Sequence, residues 1–362
     1  DRRGGPEMSR ETQGTATRGK VVPPPRSSRP RPATPPTARG GSGGSVLVTG
    51  SEGFIGTVLS ARLAAEGHRV TAGFLDEAAR MPAPPGVTYE RLDVTDASRV
   101  RDVVRACAPA QIYHLAAMSL PSRSWVEPGE TLRVNVQGTV NVLEEARRCS
   151  PQPQVFIACS SAEYGDAPIP PTGTDESSPL LPLHPYGVSK VTQDLLGRQY
   201  FRNYGLPVVR GRIFNTIGPR KTHDAPSDFA SQIAQVEAGK ARSVRVGNLD
   251  TRRDFTDVQD MVVGIKTITT KGRAGDVYNL CSGRPTSLRV AFESLLSFAR
   301  RKVPWEVDPE RLRPADEPLI LGDNRKVATE LGWSPQIPVV ETMRSIYDYW
   351  RTVEGVASPV DD

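Results

Sequence analysis

The sequence predicts an α/β fold in which a doubly wound parallel sheet is joined to a smaller, mostly helical C-terminal lobe. Short apolar runs with strand character alternate with stretches of helical length from about residue 45 to 216. The first run leads through a glycine-rich turn directly into a helical pattern, which is the order of a nucleotide-binding βα unit. Beyond residue 216 this alternation loosens, which indicates a second and smaller unit.

Charge and composition separate a basic tail from the rest of the 362 residues. Residues 1–45 carry nine Lys and Arg against three Asp and Glu, which is a net charge of +6. Since the whole chain has a net charge of +5, the remainder has a net charge of −1. The same segment contains eight Pro and eight Gly, and we expect disorder over 1–44. The predicted domains are a sheet domain over 45–216, completed by about 249–280, and a lobe formed by 217–248 and 281–355.

Several classes of function are disfavoured by composition. No apolar segment follows the basic residues of the tail and no run approaches a membrane span, so we expect a cytoplasmic protein without membrane contact. A role of the tail in binding nucleic acid or an anionic surface is the less favoured alternative, because its composition is more typical of an unfolded extension or an artefact of cloning or of the gene start. The four cysteines form no CxxC pair and no group with histidines, so no metal is expected.

The first βα unit carries three glycines at the spacing GxxGxxG. A strand over Ser45–Thr49 precedes them and a helical pattern over Thr57–Glu66 follows. The first glycine permits the tight turn, the second lets the backbone approach a pyrophosphate, and the third lets helix and strand pack closely. This predicts a Rossmann-type dinucleotide site that is formed by Gly50, Gly53, Phe54, Ile55 and Gly56.

The second strand, Arg69–Phe74, is expected to end near the adenosine ribose of that dinucleotide. An acidic residue at this point would bind the 2′-hydroxyl of NAD, whereas an arginine would accept the 2′-phosphate of NADP. Asp76 follows slightly late and the next arginine is Arg80. The choice between NAD and NADP stays open here, with a slight preference for NAD.

Two further strands bring polar and small residues to the same edge of the sheet. A strand over Val87–Leu92 leads to Asp93 and Val94, where the carboxylate either accepts from the adenine amino group or stabilises the next turn. A strand over Gln111–Leu115 is followed by small residues that let backbone lie against the nicotinamide ribose. The predicted contacts there are Leu115, Ala116 and Ala117.

Helices are predicted over 97–106 and 131–148. The second carries Asn135, whose amide either orients the backbone at the strand end or caps a polar face. We include Asn135 among the predicted cofactor-binding residues.

The stretch 154–190 carries the predicted chemistry. An apolar strand over Gln154–Cys159 ends in Ser160 and Ser161, and HPYGVSK follows after a proline-rich loop. Tyr186 and Lys190 are four residues apart, so on a helix they share one face. The ammonium is expected to stabilise a phenolate and thereby lower the tyrosine pKa, which makes the phenol a usable acid or base.

The later elements are predicted less sharply. Strands are expected over 208–213, near 243–246 and over 277–281, and helices over 186–204, 227–239, 287–301, 324–331 and 338–352.

These segments together resemble the extended short-chain dehydrogenases/reductases, within them the branch that acts on nucleotide-diphosphate sugars. The likeness covers about 45–350 and is carried by HLAAMS with SWVEP, SSAEYG, HPYGVSK, FNTIGP, RRDFTDVQD, GDVYNLCSG and RLRPADEP. The sequence is most similar to the GDP-4-dehydro-6-deoxy-mannose reductases and the GDP-mannose 4,6-dehydratases. Thr216, Arg220 and Lys221 depart from the reductase pattern, and the two basic residues are closer to the dehydratases.

The resemblance implies a site for a GDP-sugar and for NAD(P)(H). It implies a catalytic triad of Ser161, Tyr186 and Lys190, with Ser160 as the alternative hydroxyl. Tyr186 and Lys190 are also counted among the predicted cofactor-binding residues. The substrate-binding residues that it implies are Ser119, Asn215, Arg253, Arg313 and Asp316. It also implies a homodimer or homotetramer. The helices over 131–148 and 186–204 either pair at its interface or only cover the sheet, since both arrangements predict the same amphipathic pattern.

Two reactions share this triad. In a reductase, Tyr186 gives a proton to the C4 oxygen of a keto sugar while NAD(P)H provides a hydride. In a 4,6-dehydratase, Glu163 would remove the C5 proton and a tightly bound cofactor would be recycled. A non-catalytic protein that senses dinucleotides is a remote third alternative.

Overall fold

The computed structural model describes residues 43–79, 83–312 and 317–356. The predicted disorder of the tail therefore concerns residues that lie outside the described part, apart from Gly43 and Gly44. Arg80, Arg313 and Asp316 also lie outside it, so their predicted roles stay predictions.

Strands and helices alternate through the first half of the described chain, as predicted. The strands are β1 (Ser45–Thr49), β2 (Arg69–Phe74), β3 (Val87–Arg91), β4 (Gln111–His114), β5 (Gln154–Ser160), β6 (Val208–Ile213), β7 (Asn215–Ile217), β8 (Val244–Val246), β9 (Arg252–Asp257), β10 (Val277–Leu280), β11 (Pro285–Ser287) and β12 (Trp305–Val307). The α-helices are α1 (Phe54–Ala65), α2 (Ala97–Cys107), α3 (Pro121–Val126), α4 (Pro128–Leu132), α5 (Gly138–Arg148), α6 (Pro185–Tyr204), α7 (Ala225–Glu237), α8 (Val258–Lys271), α9 (Leu288–Phe298), α10 (Arg325–Leu331) and α11 (Val339–Glu354).

The central sheet has seven parallel strands in the order β10-β6-β5-β4-β1-β2-β3. Successive side chains of its strands point to opposite faces of the sheet, and both faces are buried. The strands therefore have continuous apolar sequences. Helices α1 and α8 cover one face, and α2, α5 and α6 cover the other. The predicted doubly wound α/β fold is confirmed.

The order of the strands reverses beside β1, which pairs with β2 on one side and with β4 on the other. The connections after these strands leave in opposite directions, so a crevice opens beyond their carboxyl ends. This crevice is where the predicted cofactor-binding residues meet.

The C-terminal elements form a hydrophobic cluster of their own. It is built by α7, α9 and α11 together with β8 and β9, and its largest members include Phe229, Phe292 and Tyr347. Two small sheets, β11-β9-β7 and β12-β8, accompany these helices. The division of the chain into two domains at the predicted boundaries stays a prediction.

Several elements differ from the sequence prediction, among them β7, β9, β11, β12 and α3, which were not predicted. The helix expected over 131–148 is a composite, because a π-helical turn over Arg133–Gln137 separates α4 from α5. Helix α8 was not predicted, since its β-branched sequence VVGIKTITT is typical of a strand. It is helical because Asp257 caps its first turn and because Met261, Val262, Ile265 and Ile268 pack against the sheet.

Within the described ranges, the helices are all too short or too polar to cross a membrane.

Candidate active site

The turn between β1 and α1 is shaped by the lack of side chains. Gly50 has φ +68°, and a Cβ on it would lie 2.8 Å from the backbone nitrogen of Ala116. A Cβ on Gly56 would lie 2.2 Å from the carbonyl oxygen of Gly50. Gly53 precedes α1 without a side-chain cap, and the first turn of α1 carries no acidic residue. Helix N-termini of this kind attract anions, so the turn fits a pyrophosphate.

The edge beside this turn is the exit of β4. Leu115 and Ala116 lie against Gly50, and the Ala116 N–H donates to the Thr49 hydroxyl at 3.2 Å. Ala117 follows and is half-buried. Phe54 and Ile55 occupy the first turn of α1. The predicted cofactor-binding residues of the first and fourth strands are thus neighbours, while their contact with a dinucleotide stays a prediction.

Asp93 stabilises the turn after β3, which was one of its two predicted roles, the other being contact with adenine. Its Oδ1 accepts from the N–H of Thr95 at 2.8 Å and from the Thr95 hydroxyl at 2.7 Å. Val94 is buried against Gly138 at the start of α5. A Cβ on Gly138 would lie 2.6 Å from the Cγ2 of Val94. The end of β3 is therefore held against α5.

Asn135 lies in the π-helical turn and is fully buried. Its Oδ1 accepts from the Met118 N–H at 2.7 Å, and its Nδ2 donates to the Met118 carbonyl at 3.1 Å. The same Nδ2 donates to the hydroxyl of Ser189 at 2.8 Å. Of the two predicted roles of this amide, the structure shows the first, since the amide orients the backbone after β4.

Tyr186 and Lys190 lie in the first turns of α6, as the spacing predicted. His184 caps this helix, because its Nδ1 accepts from the Gly187 N–H at 3.0 Å. The Lys190 ammonium donates to the carbonyl of Ala158 in β5 at 2.7 Å and lies 5.7 Å from the centre of the Tyr186 ring. Both side chains are buried where β5 ends.

The hydroxyl that interacts with the Tyr186 phenol in the described structure is that of Ser160. Ser160 is the last residue of β5, and Ser161 begins the short 3₁₀ turn over Ser161–Glu163. The strand extends one residue further than predicted, so the side chain that faces α6 is the predicted alternative, Ser160. The contact with Tyr186 is thus made by Ser160 and not by Ser161, while the catalytic triad itself stays a prediction.

The expected lowering of the tyrosine pKa is not found. Burial raises the pKa of Tyr186 to about 12, although the hydrogen bond with Ser160 opposes that change. Burial also lowers the pKa of Lys190 to about 8. Near neutral pH the phenol is therefore protonated and the lysine is largely charged, which suits a proton donor beside a cation.

Glu163 is buried behind the site and is 0% exposed. Its Oε1 accepts from the Ser160 N–H at 2.9 Å, which completes a capping box, and its Oε2 lies 3.3 Å from the Arg212 Nε. Burial, followed by the neighbouring Asp194, raises the pKa of this carboxyl. Its contacts hold the turn that carries Ser160, which disfavours the predicted role as the base of a dehydratase.

A buried ionic cluster lies next to Glu163 and was not predicted. Asp194 in α6 accepts from Arg210 and, at 3.0 Å, from the Arg212 Nε, both of which belong to β6. The two arginines are two residues apart and so point to the same face of the sheet. Cys159, Glu163 and Asp194 come close enough together for a metal ion. The two guanidinium groups, however, already occupy the positions beside these carboxyl groups.

The residues that the resemblance implies for the substrate are distributed around this edge. Ser119 is exposed, and Arg253 donates to the carbonyl oxygens of Arg252 at 3.0 Å and of Glu317 at 2.7 Å. Among the described residues, the Oδ1 of Asn215 is buried and accepts no hydrogen bond, while its predicted contact with a substrate stays a prediction.

The arrangement brings a protonated phenol, a hydroxyl and an ammonium to one edge of a parallel sheet, beside a glycine turn that fits a pyrophosphate. These groups can exchange a proton with a carbonyl or alcohol oxygen. A nicotinamide bound beside the exit of β4 would exchange a hydride with the carbon that carries this oxygen. The geometry therefore fits a dinucleotide-dependent carbonyl–alcohol conversion.

Comparisons with known proteins agree with this chemistry. A family model described as GDP-mannose 4,6 dehydratase matches residues 47–346. GDP-6-deoxy-D-mannose reductase of Pseudomonas aeruginosa is 31% identical over 85% of this chain and 97% of its own length. The dTDP-glucose 4,6-dehydratase of Streptomyces antibioticus is 31% identical over 84% and 92%. A structure of RMD from Pseudomonas aeruginosa complexed with NADPH superposes with a TM-score of 0.76, at 28% identity, over 86% and 99%.

Proposed function

Since the chain belongs to the GDP-mannose 4,6-dehydratase family, we propose that it is an NAD(P)-dependent oxidoreductase that reduces the C4 ketone of GDP-4-dehydro-6-deoxy-D-mannose. The similarity to a GDP-6-deoxy-D-mannose reductase over nearly its whole length supports the substrate. The similarity to a structure that contains NADPH supports the cofactor class. The structural relatives include NAD complexes as well, so both dinucleotides are candidates.

The observation that carries the proposal is the position of Tyr186. Its phenol is protonated near neutral pH, contacts the Ser160 hydroxyl and lies on the same helix face as Lys190. The exit of β4 lies against Gly50, and β4 pairs with β5, at whose end Tyr186 lies. A dinucleotide held at that turn would therefore bring its hydride donor towards the phenol.

Three residues of the chain have distinct roles in the proposed reduction. A dinucleotide held by the turn at Gly50 and the exit of β4 would provide the hydride for C4 of the sugar. Tyr186 donates its hydroxyl proton to the C4 oxygen, so that ketone, hydride and proton yield the alcohol. Ser160 donates a hydrogen bond to the same oxygen and so stabilises the negative charge that develops on it. Lys190 provides a positive charge that favours the phenolate left behind.

We propose that Asn215 binds the sugar rather than the diphosphate. Its unpaired Oδ1 is an acceptor, and a sugar hydroxyl can donate to it, whereas a diphosphate near neutral pH offers no donor. Replacement of Asn215 by Leu is expected to raise the KM for the keto sugar and to leave the affinity for the dinucleotide unchanged.

A 4,6-dehydratase is the second candidate, because the matching family model carries that name. Its mechanism needs a base that reaches C5 of the sugar. Glu163 is fully buried, with one oxygen on the Ser160 N–H and the other beside Arg212. A carboxylate held in this way positions Ser160, so the reductase is the better supported reaction.

Two incubations of the purified protein decide between these reactions. In the first, GDP-mannose is added without cofactor and the products are followed by mass spectrometry; no loss of water is expected. In the second, GDP-4-dehydro-6-deoxy-D-mannose is added with NADPH or NADH, and oxidation of one of them is expected. Loss of water in the first and no oxidation in the second would replace the reductase by the dehydratase.

We also propose that the protein forms a homodimer through α5 and α6. These helices pack against each other, and the neighbouring surface exposes Leu132, Val188 and Leu195, the last by 53%. Light scattering after size-exclusion chromatography is expected to give twice the mass of one chain. Replacement of Leu195 by Glu is expected to shift it to one chain, and a monomeric wild-type protein would contradict the proposal.

A further inference from the structure

His114, the last residue of β4, is a buried histidine at the centre of the site's hydrogen-bond network. Its Nδ1 lies 2.9 Å from the Thr49 hydroxyl in β1, and its Nε2 lies 3.0 Å from the Thr139 hydroxyl in α5. The Thr139 hydroxyl also accepts from the Nε2 of Gln193 in α6. One imidazole thus connects two strands of the sheet with two of the helices that cover it.

The direction of each hydrogen bond follows from the groups at the ends. The Thr139 hydroxyl lies 2.6 Å from the Asn135 carbonyl, which can only accept, so its single proton is used there. It must then accept from His114, which therefore carries its proton on Nε2. At the other end the Thr49 hydroxyl accepts from the Ala116 N–H and is left to donate to the unprotonated Nδ1.

Two chains of hydrogen bonds, called arms below, begin at the two nitrogens of the imidazole. The first runs through Thr49 to the backbone nitrogen of Ala116, which lies directly against Gly50 in the dinucleotide turn. It fixes the strand end along which a nicotinamide ribose would lie.

The second arm runs through Thr139 to Asn135, whose amide binds both backbone groups of Met118 and the hydroxyl of Ser189. The Ser189 hydroxyl donates to the carbonyl oxygen of Tyr186 at 2.6 Å. This arm therefore ends on the residue that gives the proton.

We propose that His114 is a positioning residue that aligns the dinucleotide-binding edge with the helix that carries Tyr186. This proposal rests on the proposed reduction for its rate measurement, though not for its binding measurement. The imidazole takes no part in proton transfer, because burial, aided by the nearby Lys190, lowers the pKa of His114 to about 3. Its contribution is the fixed direction of its two nitrogens.

Two substitutions separate the arms. In His114→Asn the side-chain oxygen can replace Nδ1 as the acceptor for Thr49, whereas the donor to Thr139 is lost. In His114→Gln the amide nitrogen can replace Nε2–H, whereas the acceptor for Thr49 is lost. Each variant removes about one hydrogen bond to a buried hydroxyl, for which a roughly tenfold change is expected.

The expected result is a split between binding and rate. His114→Gln should weaken the binding of NADPH or NADH, whichever the wild type binds more tightly, by about tenfold in titration calorimetry. His114→Asn should leave that affinity within about twofold and slow single-turnover reduction at saturating dinucleotide by about tenfold. If both variants change affinity and rate by equal factors, or change only the thermal midpoint, the proposal is overturned.

The threonines provide a second test if the histidine variants do not fold. Thr49→Val should weaken dinucleotide binding and Thr139→Val should slow the reaction, while the corresponding serine variants, which keep the hydroxyl, should behave like the wild type. Equal behaviour of the valine and serine variants would overturn the proposal.

Failure of the proposed reaction would appear differently, as a wild-type protein that binds dinucleotide but does not reduce the keto sugar. Binding then decides: a weakened affinity in His114→Gln with an unchanged affinity in His114→Asn supports the positioning role, and any other pattern overturns it.

Discussion

The two halves of the candidate site are built by opposite means, although they meet at one edge of the same sheet. The turn from β1 to α1 is shaped by missing side chains, since Gly50 and Gly56 leave no room for a Cβ. The region where β5 meets α6 is shaped by buried polar and charged side chains, among them Glu163, Asp194 and Arg212. The first half is sensitive to added atoms, and the second is sensitive to removed charges and hydrogen bonds.

Removal of the proton donor is expected to have the largest effect. Tyr186→Phe keeps the ring and its packing but removes the hydroxyl, so the rate of reduction should fall by about 100- to 10 000-fold. Steady-state kinetics measures this loss. Dinucleotide affinity, measured by titration calorimetry, should change far less than the rate, because the turn at Gly50 is untouched. A variant that retains full activity would show that the phenol is not the acid.

Loss of one buried guanidinium is expected to act on stability. Arg212→Met leaves Asp194 and Glu163 with a single buried arginine, so the free energy of unfolding should drop by about 3–5 kcal/mol. Urea denaturation measures this change. Arg123→Met is the matched control, because it removes an exposed ion pair with Glu127 and should cost less than about 1 kcal/mol. Equal losses in the two variants would show that the buried cluster is not structurally important.

One added methyl group tests the other half of the site. In Gly56→Ala the new Cβ would lie 2.2 Å from the Gly50 carbonyl oxygen, so the turn must shift. We expect a loss of about 1–3 kcal/mol in stability together with weaker dinucleotide binding. Gly129→Ala is the control, because nothing lies within 4 Å of its Cβ. If the two variants bind dinucleotide equally well, close packing at Gly56 does not shape the site.

The smallest expected effect concerns His114, which joins the two halves. The pKa of His114 is lowered to about 3 in the folded protein, whereas its ordinary value is 6.5. As the pH falls below 6.5, His114 therefore binds a proton in the unfolded chain but not in the folded protein. Stability is therefore lost as the pH decreases, by about 1 kcal/mol between pH 7 and 5.5. His114→Gln should lack this part of the pH dependence in urea denaturation. Parallel curves for wild type and variant would contradict a buried neutral histidine.

Much of the first half of the fold could be predicted from the sequence, because its strands are buried on both faces and their apolar runs are continuous. β1, β2 and β6 begin and end at the predicted residues. Helix α8 could not be recognised, since its helical state comes from the Asp257 cap and from packing against the sheet rather than from local preference.

The candidate site was predictable where it depends on local spacing, as for the glycine turn and for Tyr186 with Lys190. The identity of the facing serine depends on whether β5 ends one residue earlier or later, which local preference does not fix. The ionic cluster joins β6 to residues of α6 and of the turn after β5, which no local pattern connects. Two arginines inside the apolar run VVRGRI were the available signal, since buried charges require partners.

The pairing of β10 with β6 has a consequence for how the chain folds during synthesis. Every strand that carries a predicted dinucleotide contact is complete once β6 has emerged, but β6 then forms an open, apolar sheet edge. β10 closes that edge only after β7, α7, β8, β9 and α8 have been made. Unpaired apolar edges associate with other chains, so we expect fragments that end before β10 to aggregate. The second half of the chain thus provides the strand that covers the sheet edge left open by the first half.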